Sequence, residues 1–238
     1  MALLYPYVPN KGIVSNSTCV ICGSALIKNG FQNGKQRLKC KSCGKHLQES
    51  YSYKAYDQGT NTLMISLFKE GCGVLSIARI LGVSKNTVLK RLLQIGKTIK
   101  KPNFFLANGT FQIDEMCVVV KKKEPRFWLV YAMDVASGVV VDLGIGKRNK
   151  NTVTPVIAST LSYKPKKIFT DGLNIYPSLI PPNIHTVFKH GTNKIERHNL
   201  NIRTHVKRMA RKTICYSKSK AHLEAHLKIY FWHGLKSV

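Results

Sequence analysis

Phe111-Gln112-Ile113-Asp114-Glu115-Met116-Cys117-Val118-Val119-Val120 is an apolar run with two carboxylates set into its middle. Such a run suits a buried strand, and an unpaired carboxylate facing the core there would be costly. Asp114 therefore calls for a compensating charge. The same segment opens a regular pattern. Phe127 to Asp134 and Val139 to Leu143 are further strand-forming runs, and Ala136-Ser137-Gly138 is a turn signal between them, so three strands form an antiparallel meander. A helix is expected over 151–161, then a short strand from Lys167 to Thr170, which makes the order βββαβ.

In a sheet of ribonuclease-H-like order the first and fourth strands are adjacent and parallel. Asp114 would then lie beside Asp171, which ends the fourth strand in Ile168-Phe169-Thr170-Asp171-Gly172, with Gly172 allowing a sharp turn. Beyond a proline-bearing stretch with one short strand near Val187, a basic helix is expected over 193–210, and a last amphipathic helix from Lys220 to about Trp232. Glu196 sits in the first turn of the basic helix and could lean against the same strand ends. Three carboxylates so placed can hold two Mg²⁺ or Mn²⁺ ions at a phosphodiester. Read singly, Asp114 is a strand-edge acid, Asp171 a turn former and Glu196 a capping acid behind Asn193. Asp134 is a fourth acid, of structural or auxiliary rank. Arg203 follows Glu196 by seven positions on the same helical face, with Asn199 between them. Arg197, His198, Lys207, Arg208, Arg211 and Lys212 extend a basic stripe suited to phosphate, with Arg197 and Lys207 the chosen DNA contacts.

Upstream, Cys19-x2-Cys22 and Cys40-x2-Cys43 are spaced as two knuckles of one tetrahedral Zn²⁺ site, with Gly23 and Gly44 relieving the turn after each pair. From Thr60 to about Ile99 the apolar period is helical and implies three helices. Val74 to Arg91 has the layout of a helix-turn-helix, with Gly82 ending one helix and Ser84 capping the next. Lys85, Asn86, Thr87 and Lys90 would face outward, where a major-groove reader places its side chains. The expected domains are a zinc ribbon over 1–50, a helix-turn-helix domain over 58–100 and a catalytic domain over 109–238, the last behind a linker from Lys97 to Gly109.

With 38 Lys plus Arg against 11 Asp plus Glu, the net charge is +27, so the surface attracts polyanions. Double-stranded DNA is the expected partner. There is no long apolar run for a membrane span and no leader pattern at Met1 to Pro6, which reads as an intracellular, cytoplasmic protein.

At these residues the chain resembles transposases of the insertion-sequence-one family. The likeness runs through the ribbon with Asn29-Gly30 and Gly34-Lys35-Gln36-Arg37, then Trp128 to Asp134, Thr170-Asp171-Gly172, Ser217-Lys218-Ser219, and above all Ile195-Glu196-Arg197-His198-Asn199-Leu200-Asn201-Ile202-Arg203. Cys117 and Leu173 depart from it, standing where many relatives carry tryptophan. The resemblance implies a ribonuclease-H-like domain with a DDE triad of Asp114, Asp171 and Glu196, and pairs Arg203 with Glu196. It implies binding to the terminal inverted repeats of an insertion sequence, metal-dependent strand cleavage and transfer, and a homodimer or larger synaptic assembly. The residues alone leave open an inactive copy that only binds DNA, or a junction or repair nuclease of the same fold.

Overall fold

The computed structural model describes residues 18–19, 21–50, 53–57, 59–101, 108–120, 126–187, 193–211 and 213–235. The N-terminal segment 1–17, the segment 121–125, Lys212 and most of the expected linker, 102–107, lie outside these residues.

A three-stranded antiparallel ribbon comes first, β1 (Leu26–Gln32), β2 (Lys35–Cys40) and β3 (His46–Gln48). Three helices follow, α1 (Thr60–Lys69), α2 (Val74–Leu81) and α3 (Lys85–Thr98). The turn between α2 and α3 is built as its sequence requires. Gly82 adopts a left-handed backbone, and the Ser84 hydroxyl accepts from the Thr87 N–H at 3.1 Å. Val83 is buried in that turn.

The remainder forms a five-stranded sheet from β4 (Thr110–Val118), β5 (Phe127–Asp134), β6 (Val140–Gly146), β7 (Lys167–Thr170) and β8 (His185–Val187). The spatial order is β6-β5-β4-β7-β8, with β4, β5 and β6 antiparallel and β4, β7 and β8 parallel. That order and polarity are those of a ribonuclease-H-like sheet. Helix α4 (Lys150–Leu161) makes the crossover from β6 to β7, starting at Asn149, whose side chain caps Thr152. Helices α5 (Asn193–His205) and α6 (Lys220–Trp232) complete the chain.

Alternation along β4 sorts its side chains into two cores. Phe111 and Ile113 join Val153, Val156 and Ile157 of α4, while Met116 and Val118 join Ile195, Ile202, Leu223 and Leu227 of α5 and α6. Each such side chain, fully buried, contributes about 1.5–3 kcal/mol.

Two expectations need correction. The basic helix ends at His205 rather than reaching Ala210, because Val206 leaves the helical conformation and a short 3-10 turn, Lys207–Met209, follows. The last helix is not amphipathic. Leu223, Ala225, His226, Leu227, Ile229, Phe231 and Trp232 are all buried, since α6 lies between the sheet and the α1–α3 bundle. Its Ala225 and Ile229 complete the apolar core of that bundle, so the two regions share one helix. The chain bends at Gly172 as expected, without a left-handed backbone, and the turn after β7 is held by the Leu173 N–H donating to Asp171 Oδ1 at 3.0 Å.

Candidate active site

Parallel pairing of β4 with β7 matches Gln112 with Phe169. Carried two residues on, the same register sets Asp114 beside Asp171. The two carboxylates meet where β7 ends against the middle of β4, just past the paired stretch of the two parallel strands; ligands of open α/β sheets bind at such strand ends. Potential ligand oxygens of Asp114, Glu115 and Asp171 all lie within 4.8 Å of one another.

The first two turns of α5 are seated on the same strand by two polar side chains pointing to one face, as positions two apart on a strand must. Buried Gln112 accepts from the Ile195 N–H at 3.0 Å, satisfying one orphan donor of the helix start. Asp114 Oδ2 accepts from the Asn199 amide at 2.6 Å. The Tyr131 hydroxyl, buried under the helix, donates to Asn199 Oδ1 at 2.7 Å, which fixes which way that amide points. Burial pushes the Asp114 carboxyl above its ordinary range, and the nearby charges of Asp171 and Glu196 push the same way, against the hydrogen bonds from Asn199 and the Glu115 backbone.

Glu196 is one turn before Asn199 on the same face of α5, exposed to solvent, and close enough to raise Asp114 electrostatically. It is not among the three carboxylates gathered within 4.8 Å; Glu115 is. Glu196 and Arg203 line one open pocket with Leu200, Thr204, Ala210 and Arg211. Asp134 is a turn residue: buried, its Oδ2 accepts from both the N–H and the hydroxyl of Ser137, at 2.7 Å each.

Sequence reasoning passed over Glu115, Arg148 and Tyr176 as functional positions. Glu115 points to the opposite side of the sheet from Asp114, where its Oε2 accepts from Arg148 at 3.0 Å and its Oε1 from the Tyr176 hydroxyl. The adjacency of Asp114 and Glu115 was the available signal for Glu115. Nothing local marked Arg148, on the loop after β6, or Tyr176, after β7.

The basic stripe is narrower than the sequence suggested. Arg197, Lys207 and Arg211 are exposed. His198 instead turns inward, stacked 5.7 Å from Phe231 and tilted against Tyr131 at 5.6 Å, with its pKa lowered by burial. Arg208 donates to Ser217 Oγ at 3.1 Å. On α3, Lys85, Asn86 and Lys90 are exposed, whereas Thr87 is half-buried and its hydroxyl is shared with Ser84 at 2.9 Å and Tyr53 at 2.5 Å. Thr87 thus also secures the helix start.

In the ribbon, Cys19 Sγ lies 3.6 Å from Cys43 Sγ and Cys22 Sγ 3.4 Å from Cys40 Sγ. Thiolates at about 2.3 Å from a tetrahedral Zn²⁺ stand roughly 3.8 Å apart, so the four groups fit such an ion with small movement. Gly23 and Gly44 have φ of +71° and +69°, the left-handed turn that follows each pair. The carboxylate cluster, all oxygen donors, fits a hard divalent cation. No helix among the described residues is long and apolar enough to cross a membrane.

Residues 110–232 match the family profile of the IS1 transposase. The chain is 34% identical over 118 residues to the insertion element iso-IS1n protein InsB of Shigella dysenteriae, covering 50% of this chain and 88% of that one. An InsB protein of Escherichia coli K12, from insertion element IS1 9, is likewise 34% identical over 118 residues, with 69% of its length covered. Among solved structures, the HTLV-2 integrase catalytic core in complex with magnesium, in its dimeric form, overlays 50% of this chain and 86% of its own at a TM-score of 0.30 and 19% identity. The simian T-cell lymphotropic virus intasome in complex with a PP2A regulatory subunit overlays 74% of this chain and 69% of its own at a TM-score of 0.38 and 16% identity. The fold is identified by strand order and register, the family by sequence: this chain belongs to the IS1 transposase family and is a DDE transposase.

Proposed function

We propose that this transposase binds the terminal inverted repeats of its own insertion sequence, cuts a DNA strand there and joins the exposed 3′-hydroxyl to target DNA. One observation carries the reading: Asp114, in the middle of β4, and Asp171, just past the end of β7, stand side by side beyond the paired stretch of two adjacent parallel strands, and Asn199 ties to Asp114 the helix that bears Glu196.

Asp114, Asp171 and Glu196 would hold Mg²⁺ or Mn²⁺, with Glu196 swinging in from the exposed face of α5. When bound, such ions activate an attacking oxygen and stabilise the leaving one during in-line displacement. Asn199 keeps the Asp114 oxygen aimed, and Tyr131 keeps Asn199 aimed. Arg203 and Arg211, which line the pocket with Glu196, would receive phosphates flanking the scissile bond. Arg197 and Lys207 would contact the DNA backbone, while Lys85, Asn86 and Lys90 on α3 read the major groove. The Cys19, Cys22, Cys40 and Cys43 site would hold structural Zn²⁺, since four thiolates leave no open position. Joining two element ends requires a homodimer or larger synaptic complex.

The test is incubation of the chain with labelled duplexes carrying the element's ends, with and without Mg²⁺, beside Glu196→Gln. Mg²⁺-dependent nicks leaving 3′-hydroxyls at the repeat boundary, lost in the variant, are expected. Binding without cleavage at any Mg²⁺ concentration would make the chain a regulator, and preference for branched DNA would make it a junction nuclease.

A further inference from the structure

Behind Asp114, on the α4 side of the sheet, lies a second charged set. Glu115 has a side chain only 1% exposed. Both its oxygens have partners, Oε1 the Tyr176 hydroxyl and Oε2 the Arg148 guanidinium at 3.0 Å. The same Arg148 nitrogen lies 3.7 Å from Asp171 Oδ2, and the guanidinium covers the Trp128 ring at 4.4 Å from its centroid. Asp171 Oδ1 is engaged by the Leu173 N–H, and Oδ2 is the oxygen that Arg148 approaches.

We propose that Glu115, although it sits within the acidic cluster, is no metal ligand but the anchor of a resident cation. It holds Arg148 against Asp171, and that guanidinium orients Asp171 and offsets its charge until divalent metal enters. The proposal rests on reading Asp114 and Asp171 as metal-holding groups. Three features support it. Turning Glu115 toward a metal would break a charge-assisted bond and a hydroxyl bond inside a nearly dry pocket, leaving Arg148 and Tyr176 without their partner. Strand alternation aims Glu115 away from the face that Asn199 and Glu196 occupy. Trp128 holds the guanidinium by its flat face, a position a flexible lysine ammonium would not share. Arg148 is thus a positioning residue, acting on the metal site through Asp171.

A cation this near Asp171 must repel an incoming divalent ion, so its removal should tighten metal binding on the order of tenfold. The experiment measures Mn²⁺ affinity of the full chain by electron paramagnetic resonance and calorimetry, for the native protein, Arg148→Gln, the double variant Glu115→Gln with Arg148→Gln, and Asp171→Asn. The double variant removes the pair without changing net charge. Expected are about tenfold tighter Mn²⁺ binding for Arg148→Gln and, for the double variant, affinity within about threefold of native. A loss of tenfold or more in the double variant would show Glu115 to be a ligand and overturn the proposal, as would unchanged or weaker binding in Arg148→Gln. Native-like binding by Asp171→Asn would instead overturn the metal reading itself, and the proposal with it. Should the double glutamine variant fail to fold, Glu115→Met with Arg148→Met fills the pocket with apolar chains of similar length and carries the same comparison.

Discussion

At residue scale the site is a compromise between folding and use. Burial raises Asp114 and Glu115 above the ordinary carboxylate range, so the folded chain binds protons there more readily than the unfolded chain. The sign follows: what these groups contribute to stability is fully present below their unfolded pKa and is lost as pH rises through the folded value. At neutral pH the metal-free cluster therefore weighs against the fold. Asp114→Asn keeps the acceptor for Asn199, gives up the one for the Glu115 N–H and removes the buried charge; with the charge outweighing one hydrogen bond, it should raise the thermal midpoint of the metal-free chain at pH 7.5 while abolishing Mg²⁺-dependent cleavage. A lower midpoint, measured by calorimetry in chelator, would show that the carboxylate stabilises the fold as it stands. Asp114 and Asp171 were legible in the sequence because a carboxylate inside an apolar strand and another at a strand end have few structural uses. Glu196 was legible as to helix and turn, but its exposure was not, since the direction α5 takes is set by Gln112 and Asn199. Arg148 reaches the site only through the path of the loop after β6, which no spacing rule specifies.

At the scale of elements, strands and helices were read close to their observed bounds wherever period and punctuation agreed, as in β5, β7, α3 and α6. The error over α6 has a definite cause. A one-dimensional pattern reports how much of a helix is apolar, and the second body against which α6 packs comes from residues more than a hundred positions away. The contact is tight at Gly96 of α3, where an added Cβ would stand 2.4 Å from Ala225 Cβ and 2.7 Å from its Cα. Gly96→Ala gains roughly 1 kcal/mol of helix propensity, but overpacking costs about 1–3 kcal/mol, so the variant should unfold at lower urea than the native chain. An increase in the urea midpoint would mean the helices separate without penalty. The ribbon makes a separate prediction. Because its strands bury little apolar surface, metal supplies much of their folding energy; Cys40→Ser should release close to one equivalent of zinc per chain and weaken binding to element ends. Full zinc content in that variant would remove the assignment.

At the scale of the whole molecule, the α1–α3 bundle and the catalytic sheet are joined through a buried histidine. His226 on α6 packs edge-on to Phe68 of α1 with ring centroids 4.9 Å apart, and shares a 3.3 Å hydrogen bond with its carbonyl. Its Nδ1 has no partner among the described residues. Burial, with Arg208 adding to it, holds the imidazole down to about 4. Here the unfolded chain takes up the proton first, so the contribution of neutral His226 is intact above about pH 6.5 and is lost as pH falls toward 4. The loss amounts to about 3 kcal/mol at most. Denaturation midpoints at pH 7.5 and 4.5 should converge in His226→Gln relative to the native chain. An equal pH dependence in both would place the acid sensitivity in the other histidines. That the α1–α3 bundle and the catalytic sheet share one helix was not legible in the sequence, which suggested a linker between the second and third of its three expected domains.

The central claim is that Asp114, Asp171 and Glu196 form one metal centre. It is tested most directly by anomalous diffraction from crystals of the full chain bound to an element-end duplex and Mn²⁺. The account predicts Mn²⁺ peaks with carboxylate oxygens of Asp114 and Asp171 at roughly 2.0–2.3 Å, Glu196 turned in to complete the set, and Glu115 still paired with Arg148. Mn²⁺ bound elsewhere, or bound at Asp114 with Glu196 still pointing into solvent, would contradict it.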